Sequence, residues 1–292
     1  MKYLRPALYW IAWATLCVAH GPYHEEMVDL TAVLEKHPHD LTALLRRGEL
    51  FRDHARDGET NDLAAARSDF QRVLELHPRN VSAQLGLARV DADTGAFTHA
   101  LNRLDELLSV SNQVVSAHLL RAEILVQYGQ PAKAVAAYSE GLRRLKEPRP
   151  ETFLARARAQ LVAEPTNFSA ALSGLDEGIA RVGQVPGLQL LALDLATRAG
   201  DFDGALQRLD QLAATSERQE TWLARRGDLL QAAGRFQAAR AAWAQALGEL
   251  GRLPERLRAN LAHRELHESP TSKLADKFAV QPSPPQSPIP TP

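Results

Sequence analysis

Residues 220–251, ETWLARRGDLLQAAGRFQAARAAWAQALGELG, decide how the chain is read. The stretch divides into two short amphipathic helices with a break at Gly234. Small residues stand at Gly227, Ala239 and Ala246, and bulky ones at Leu223, Leu230, Phe236, Trp243 and Leu247. That is the pattern of an antiparallel helix pair meeting small against large. Two helices of this length cannot bury their apolar faces alone, so the unit requires stacked copies of itself.

Composition agrees. Hydrophobic residues make up 45% of the chain but aromatics only 6%, which describes a core of alanine and leucine and favours helix. Alternating β-branched and aromatic runs between turn clusters are essentially absent, so no sheet is expected. The formal charge is −1, and the densest basic patch, Arg143, Arg144, Lys146 and Arg149, lies at a helix end where cations complement the dipole. Nucleic-acid binding is therefore disfavoured, because phosphate neutralisation needs an extended basic face.

Counting outward from 220–251, the pattern returns along most of the chain. A first unit at 41–80 offers Leu44, Gly48, Phe51, Ala66, Phe70, Val73, Leu74 and Pro78. Units at 81–114 and 115–148 offer Ala88, Gly95, Ala100 and Leu104, then Ala122, Gly129, Ala134 and Tyr138. Units at 149–185 and 186–219 offer Phe153, Ala157, Ala171 and Leu175, then Leu193, Gly200, Ala205 and Leu209. The sixth unit is 220–251. The first carries about six extra residues around 56–61, and the fourth about two near Pro165, relative to a period of about 34.

These residues resemble the tetratricopeptide repeat family. Its repeat has a bulky residue at position 4 and a small one at 8 in the first helix. Its second helix has alanine at 20, an aromatic or leucine at 24, a small residue at 27, leucine at 28 and often proline at 32. The resemblance implies an all-α solenoid of stacked antiparallel helix pairs wound as a right-handed superhelix. Alanine at position 20 lets the second helix lie close against its neighbours. Gly95, Gly129, Gly200 and Gly234 are expected to take the left-handed backbone conformation between helices.

Outside the units, 1–19 has Lys2 and Arg5, then an apolar run from Ala7 to Ala19 that is short for a membrane span. It reads as an export signal cleaved after Ala19, directing the chain to the periplasm or outside the cell, with an uncleaved N-terminal anchor as the alternative. No membrane insertion of the mature chain is expected. The lone Cys17 lies in this segment, so the mature chain would have no disulfide. Residues 24–40 form a half-repeat helix with Met27, Leu30, Ala32, Val33 and Leu34 on its buried side. Residues 252–268 read as a capping helix with Pro254 at its start, and the Pro/Ser-rich 269–292 as a disordered tail.

Sites for chemistry are few. His263 and His267 are four apart on a helix, as in zinc proteases, but the glutamate that should follow the first histidine is replaced by Arg264. His20, His24, His37 and His39 cluster near the expected mature N-terminus, where His20 would offer amine and imidazole together, as in copper-binding N-termini. They are weak metal candidates: His37, like His77, precedes a helix-ending proline at a surface position of the repeat. No nucleophile elbow, phosphate-cradling loop, nucleotide fingerprint or EF-hand loop is present. The acidic residues are spread through helix surfaces, where most of them read as solvated.

The resemblance implies that positions 2, 5, 9, 12 and 13 of the first helices face a concave groove. Position 5 is Leu45, Leu85, Leu119, Leu154, Leu190 and Ala224; position 9 is Glu49, Arg89, Glu123, Arg158, Asp194 and Asp228. The asparagine and lysine set with which chaperone-binding members grip a C-terminal carboxylate is missing. Two readings of the leucines stay open, groove lining or burial between helices. The function expected is a non-enzymatic exported scaffold that binds a protein or peptide and needs no cofactor. The alternatives are an envelope copper- or zinc-handling protein using the N-terminal histidines, and an enzyme of unrecognised type.

Overall fold

A computed structural model describes residues 22–56 and 62–254. Among these residues there are thirteen α-helices and no strand. In chain order they are α1 (Pro22–Lys36), α2 (Leu41–Arg56), α3 (Asp62–Leu76), α4 (Val81–Asp93), α5 (Phe97–Val110), α6 (Val115–Gln127) and α7 (Pro131–Arg144). Then follow α8 (Pro150–Ala163), α9 (Phe168–Val182), α10 (Pro186–Arg198), α11 (Phe202–Ala214), α12 (Glu220–Ala232) and α13 (Phe236–Arg252). The described helices fall into two compact units, α1–α8 and α9–α13, divided between Thr166 and Asn167. Within each unit, successive helices pack as antiparallel neighbours, the arrangement of an α-solenoid. The proposed signal at 1–19, the capping helix beyond Pro254, the tail at 269–292, and His20, His263 and His267 lie outside the described residues.

Turn chemistry explains the pairing. Gly95, Gly129, Gly200 and Gly234 have φ of 79°, 75°, 78° and 74°, values an L side chain rarely adopts. In each case the next residue's N–H reaches back to the end of the preceding helix: Ala96 to the Asp91 carbonyl, Gln130 to Leu125, Asp201 to Ala196 and Arg235 to Leu230, at 2.7–2.9 Å. This Schellman closure satisfies carbonyls that the helix end leaves open and reverses the chain within a few residues. Connections from one pair to the next use other residues. Pro38 and Pro78 precede Asp40 and Asn80, whose side chains accept from the Ala43 and Ala83 N–H groups at 3.0 Å.

The connection from α8 to α9 is of this second kind. It has Pro165 and no glycine, and Asn167 accepts from the Ala170 N–H at 3.2 Å. The segment 149–185, read in the sequence as one helix pair, is thus split between the two compact units at a turn that lacks the pairing glycine.

Close approach follows from side-chain size. Ala66, Ala100, Ala134, Ala205 and Ala239 are 0% exposed. A Cβ on Gly48 would come within 2.9 Å of the Phe70 ring, and one on Gly86 within 2.6 Å. Phe70 is therefore held between two glycines, one from its own pair and one from the next. Burying a ring of that size contributes about 1.5–3 kcal/mol. At the other end of the chain a Cβ on Gly227 would meet Trp243, whose Nε1 donates to the Ala224 carbonyl at 3.2 Å.

Two sequence expectations are corrected. Phe236 and Leu247 are not in the helix-pair contact; they are 61% and 43% exposed. They lie on the side of α13 that a following helix would cover, and no described helix follows. Ala32 and Val33 of α1 are exposed rather than buried. Among the acidic residues, expected to be mostly solvated, Asp69 and Asp91 are buried, at 4% and 3% exposure. Asp69 takes a two-pronged bond from Arg47 at 2.8 and 2.7 Å, and Asp91 pairs with Arg67 at 2.7 Å and Arg103 at 3.4 Å. A buried carboxylate is tolerated only when so paired.

Candidate functional site

In the α1–α8 unit the first helices stand side by side, α2 next to α4 and α4 next to α6. Across this face Arg52 of α2 forms an ion pair with Asp93 of α4, Nε to Oδ2 at 3.0 Å. Glu123 of α6 lies within the field of both Arg89 of α4 and Arg52. Positions 9, 12 and 13 of neighbouring pairs therefore converge. Arg52 and Asp93 belong to positions that the family resemblance already assigned to the groove, and they join Arg89 and Glu123 there.

Electrostatics describe the floor of this face. Desolvation pushes the Glu123 carboxyl above the ordinary carboxylate range, and the positive charges of Arg89 and then Arg52 pull it partly back. Glu123 nevertheless keeps an exposed surface. Beneath it Tyr138 of α7 is pushed up to about 12, first by burial and then by Glu123. Neither Arg89 nor Glu123 forms an ion pair within 4 Å among the described residues.

The leucines at position 5 divide. Leu85 is 7% exposed and packs with Ala88, Ala92, Ala100 and Leu104, so it is core and not groove. Leu45, Leu119 and Leu154 are half-buried. Leu119 rests its side chain on Gly141 of α7, where a Cβ would come within 2.6 Å of it, and packs in part against the cluster of Ala122, Ala134 and Tyr138. Glu49 and Arg158 are exposed.

In the α9–α13 unit, Leu190 is 37% exposed, Ala224 and Asp228 are half-buried, and Asp194 faces Arg198 at 3.6 Å. These residues are held by α10 and α12.

Of the metal candidates His20, His24, His263 and His267, only His24 lies among the described residues. His24 lines a cavity of about 480 Å³ with Met27, Val28, Phe51, His54 and Asp62, and His54 Nδ1 stands 2.5 Å from Asp62 Oδ2. Among the described residues no three histidine, cysteine or carboxylate side chains are grouped to hold an ion. The basic patch at the end of α7 is engaged internally, since Arg143 and Arg144 both bond Glu140.

A stack of helix pairs of this kind defines a class by its fold, the helical-repeat proteins. Comparison with known proteins agrees. Residues 47–163 match a tetratricopeptide repeat-like domain. DnaJ homolog subfamily C member 3 of Rattus norvegicus is 31% identical over 138 residues, and that of Bos taurus 29% over 138. Each alignment covers 42% of this chain and 26% of the relative, so the chain spans about a quarter of the relatives' length. Among solved structures, that of Pseudomonas aeruginosa pilF superposes with a TM-score of 0.50 at 19% identity, covering 79% of this chain and 96% of that one. At that identity the likeness concerns the fold. Together these findings show a tetratricopeptide repeat-like domain over residues 47–163 and a repeat fold of the same kind along most of the chain, and among the described residues no helix is long and apolar enough to cross a membrane.

Proposed function

We propose that the chain is a non-catalytic scaffold and that the first-helix face of α2, α4, α6 and α8 binds a peptide segment of a partner protein. One observation carries the reading: among the described residues Arg89 and Glu123 share this face with no ion-pair partner inside 4 Å, whereas Arg52 on the same face is paired with Asp93. A desolvated carboxylate and an unmatched guanidinium on a concave wall are groups whose partners come from outside. Leu45, Leu119 and Leu154 supply apolar surface beside them, and a mixed polar and apolar wall of this kind suits an extended or helical peptide.

The test is selection of a displayed random-peptide library on the full chain, with affinities of the enriched peptides then measured on Arg89→Glu and Leu119→Arg. Loss of at least ~10-fold in affinity for either variant, corresponding to the ~1.4 kcal/mol of a modest hot spot, is expected. Equal affinity for wild type and both folded variants would place binding elsewhere.

A further inference from the structure

In the α1–α8 unit the residues at position 9 of the first helices alternate in sign: Glu49 on α2, Arg89 on α4, Glu123 on α6 and Arg158 on α8. Glu49, Glu123 and Arg158 are exposed and Arg89 is half-buried. Among the described residues none of the four has an ion pair within 4 Å. Other charges on the same helices behave differently. Arg46 is bonded to Glu26, Arg47 to Asp69, Arg52 is paired with Asp93, and Arg121 is bonded to Asp105. The row stops with the unit, because Asp194 at the same position of α10 faces Arg198 at 3.6 Å.

The helices that carry the row are neighbours. α2 lies next to α4 and α4 next to α6, and α6 and α8 share the cluster of Ala122, Leu125 and Ala159. Packed axes stand about 8–10 Å apart, so adjacent charges of the row avoid repulsion without reaching one another. The alternation also fixes a register. A complementary strip of charges laid across the helices and slipped by one of them would meet like with like throughout.

Spacing selects the conformation of such a strip. It must present a side chain on one side every ~8–10 Å. A β-strand returns to the same face after two residues, about 6.6 Å, or four, about 13 Å, and misses the row. An α-helix returns after seven residues at about 10.5 Å and overshoots by the last contact. A polyproline-II chain, with three residues per turn and about 3.1 Å rise, returns every ~9.3 Å. Leu45, Leu119 and Leu154 stand one turn before the charges on their helices and, half-buried, offer apolar contact to the residues between.

Building on the reading above that this face binds a peptide, we propose that the four charges are a template for an extended segment of a partner protein. That segment carries basic, acidic, basic and acidic side chains at every third residue. The basic ones lie on Glu49 and Glu123, the acidic ones on Arg89 and Arg158. Exposed charges of this kind set direction and register more than affinity.

Two probe peptides of identical composition test it on the full chain. One carries Lys, Glu, Lys and Glu at every third residue, the other Lys, Lys, Glu and Glu at the same places, with alanine and proline between. Fluorescence anisotropy gives the ratio of their affinities. The natural chain is expected to bind the alternating peptide roughly 10-fold tighter, since the grouped one sets like charges together at two of the four contacts. Arg89→Glu with Glu123→Arg turns the row into two acids followed by two bases. Glu49→Arg with Arg158→Glu gives the opposite order and changes only exposed side chains. Either variant is expected to invert the ratio in favour of the grouped peptide, which fits the second by running the other way.

An unchanged ratio in both folded variants, equal affinity of the natural chain for the two probes, or binding of neither would each overturn the template. The binding face itself is judged separately. Library-selected peptides that Leu119→Arg no longer holds keep the face even if the template is lost.

Discussion

The helix pairs α2/α3 and α12/α13 make the same contact, a glycine at position 8 beneath an aromatic at position 24, but under different constraint. Phe70 is pressed from both sides, by Gly48 and by Gly86 of the following helix. Trp243 meets Gly227 on one side, and the outward face of its helix carries the exposed Phe236 and Leu247. The comparison shows that a large residue in the middle of the stack is shared between two repeats. At the end of the described chain it belongs to one.

The largest effect expected from this account lies inside a shared contact. Ala134→Glu, at a position with no exposure, should destabilise by several kcal/mol, about 3 or more, because it puts bulk and a charge into a close helix crossing. Lys133→Glu on the neighbouring exposed surface should stay within about 0.5 kcal/mol. Equal melting temperatures would mean that the small-residue seam does not set the spacing of α6 and α7.

Next come the two glycine seats. Gly86→Val should cost about 1–3 kcal/mol, since Phe70 has Gly48 behind it and nowhere to retreat. Gly227→Val should cost less, because Trp243 can tilt toward the open face of α13 at the expense of its bond to Ala224. Chemical denaturation of the two variants ranks them; a larger loss at Gly227 would contradict the shared-contact view.

How much of this was legible in the residues follows from what each signal encodes. Ala66, Ala100 and Ala134 recur at one phase because the crossing distance is a local property of the pair, and Gly95 and Gly129 recur because reversal needs a positive φ at one place. Leu85 was not separable from Leu119 in the sequence. Both are leucines at position 5, and only the neighbours decide: Leu85 falls among Ala88, Ala92 and Leu104, whereas Leu119 lies over Gly141 and keeps an outer surface. The buried acids Asp69 and Asp91 were hidden for a similar reason, since their arginine partners come from other helices. The division between Thr166 and Asn167 had a trace in the sequence, the absence of glycine between α8 and α9, which first read only as a two-residue insert.

The smallest effect expected is electrostatic. Glu123 has its folded-state pKa raised by desolvation, so the folded chain holds its proton to higher pH than the unfolded chain does. Stability from this group is therefore lost as pH rises from the ordinary carboxylate value, about 4.3, through the raised one. Glu123→Gln should be slightly more stable than the natural chain at neutral pH, and the gain should vanish below that ordinary value. A gain that instead grows on acidification would reverse the assignment of the concave floor.

The central claim is that one wall of the stack is a binding face and the layer beneath it is core, and Leu119→Arg against Leu85→Arg tests it most directly. Melting temperature and affinity for a library-selected peptide are measured on both. Leu119→Arg should melt near the natural chain, its arginine stem lying over Gly141 with the charge in water, and should lose peptide binding. Leu85→Arg should lose stability outright, because its charge would enter the cluster around Ala88 and Leu104. If both variants unfold, the wall is core throughout. If both fold and still bind the peptide, the binding face is not on α4 and α6.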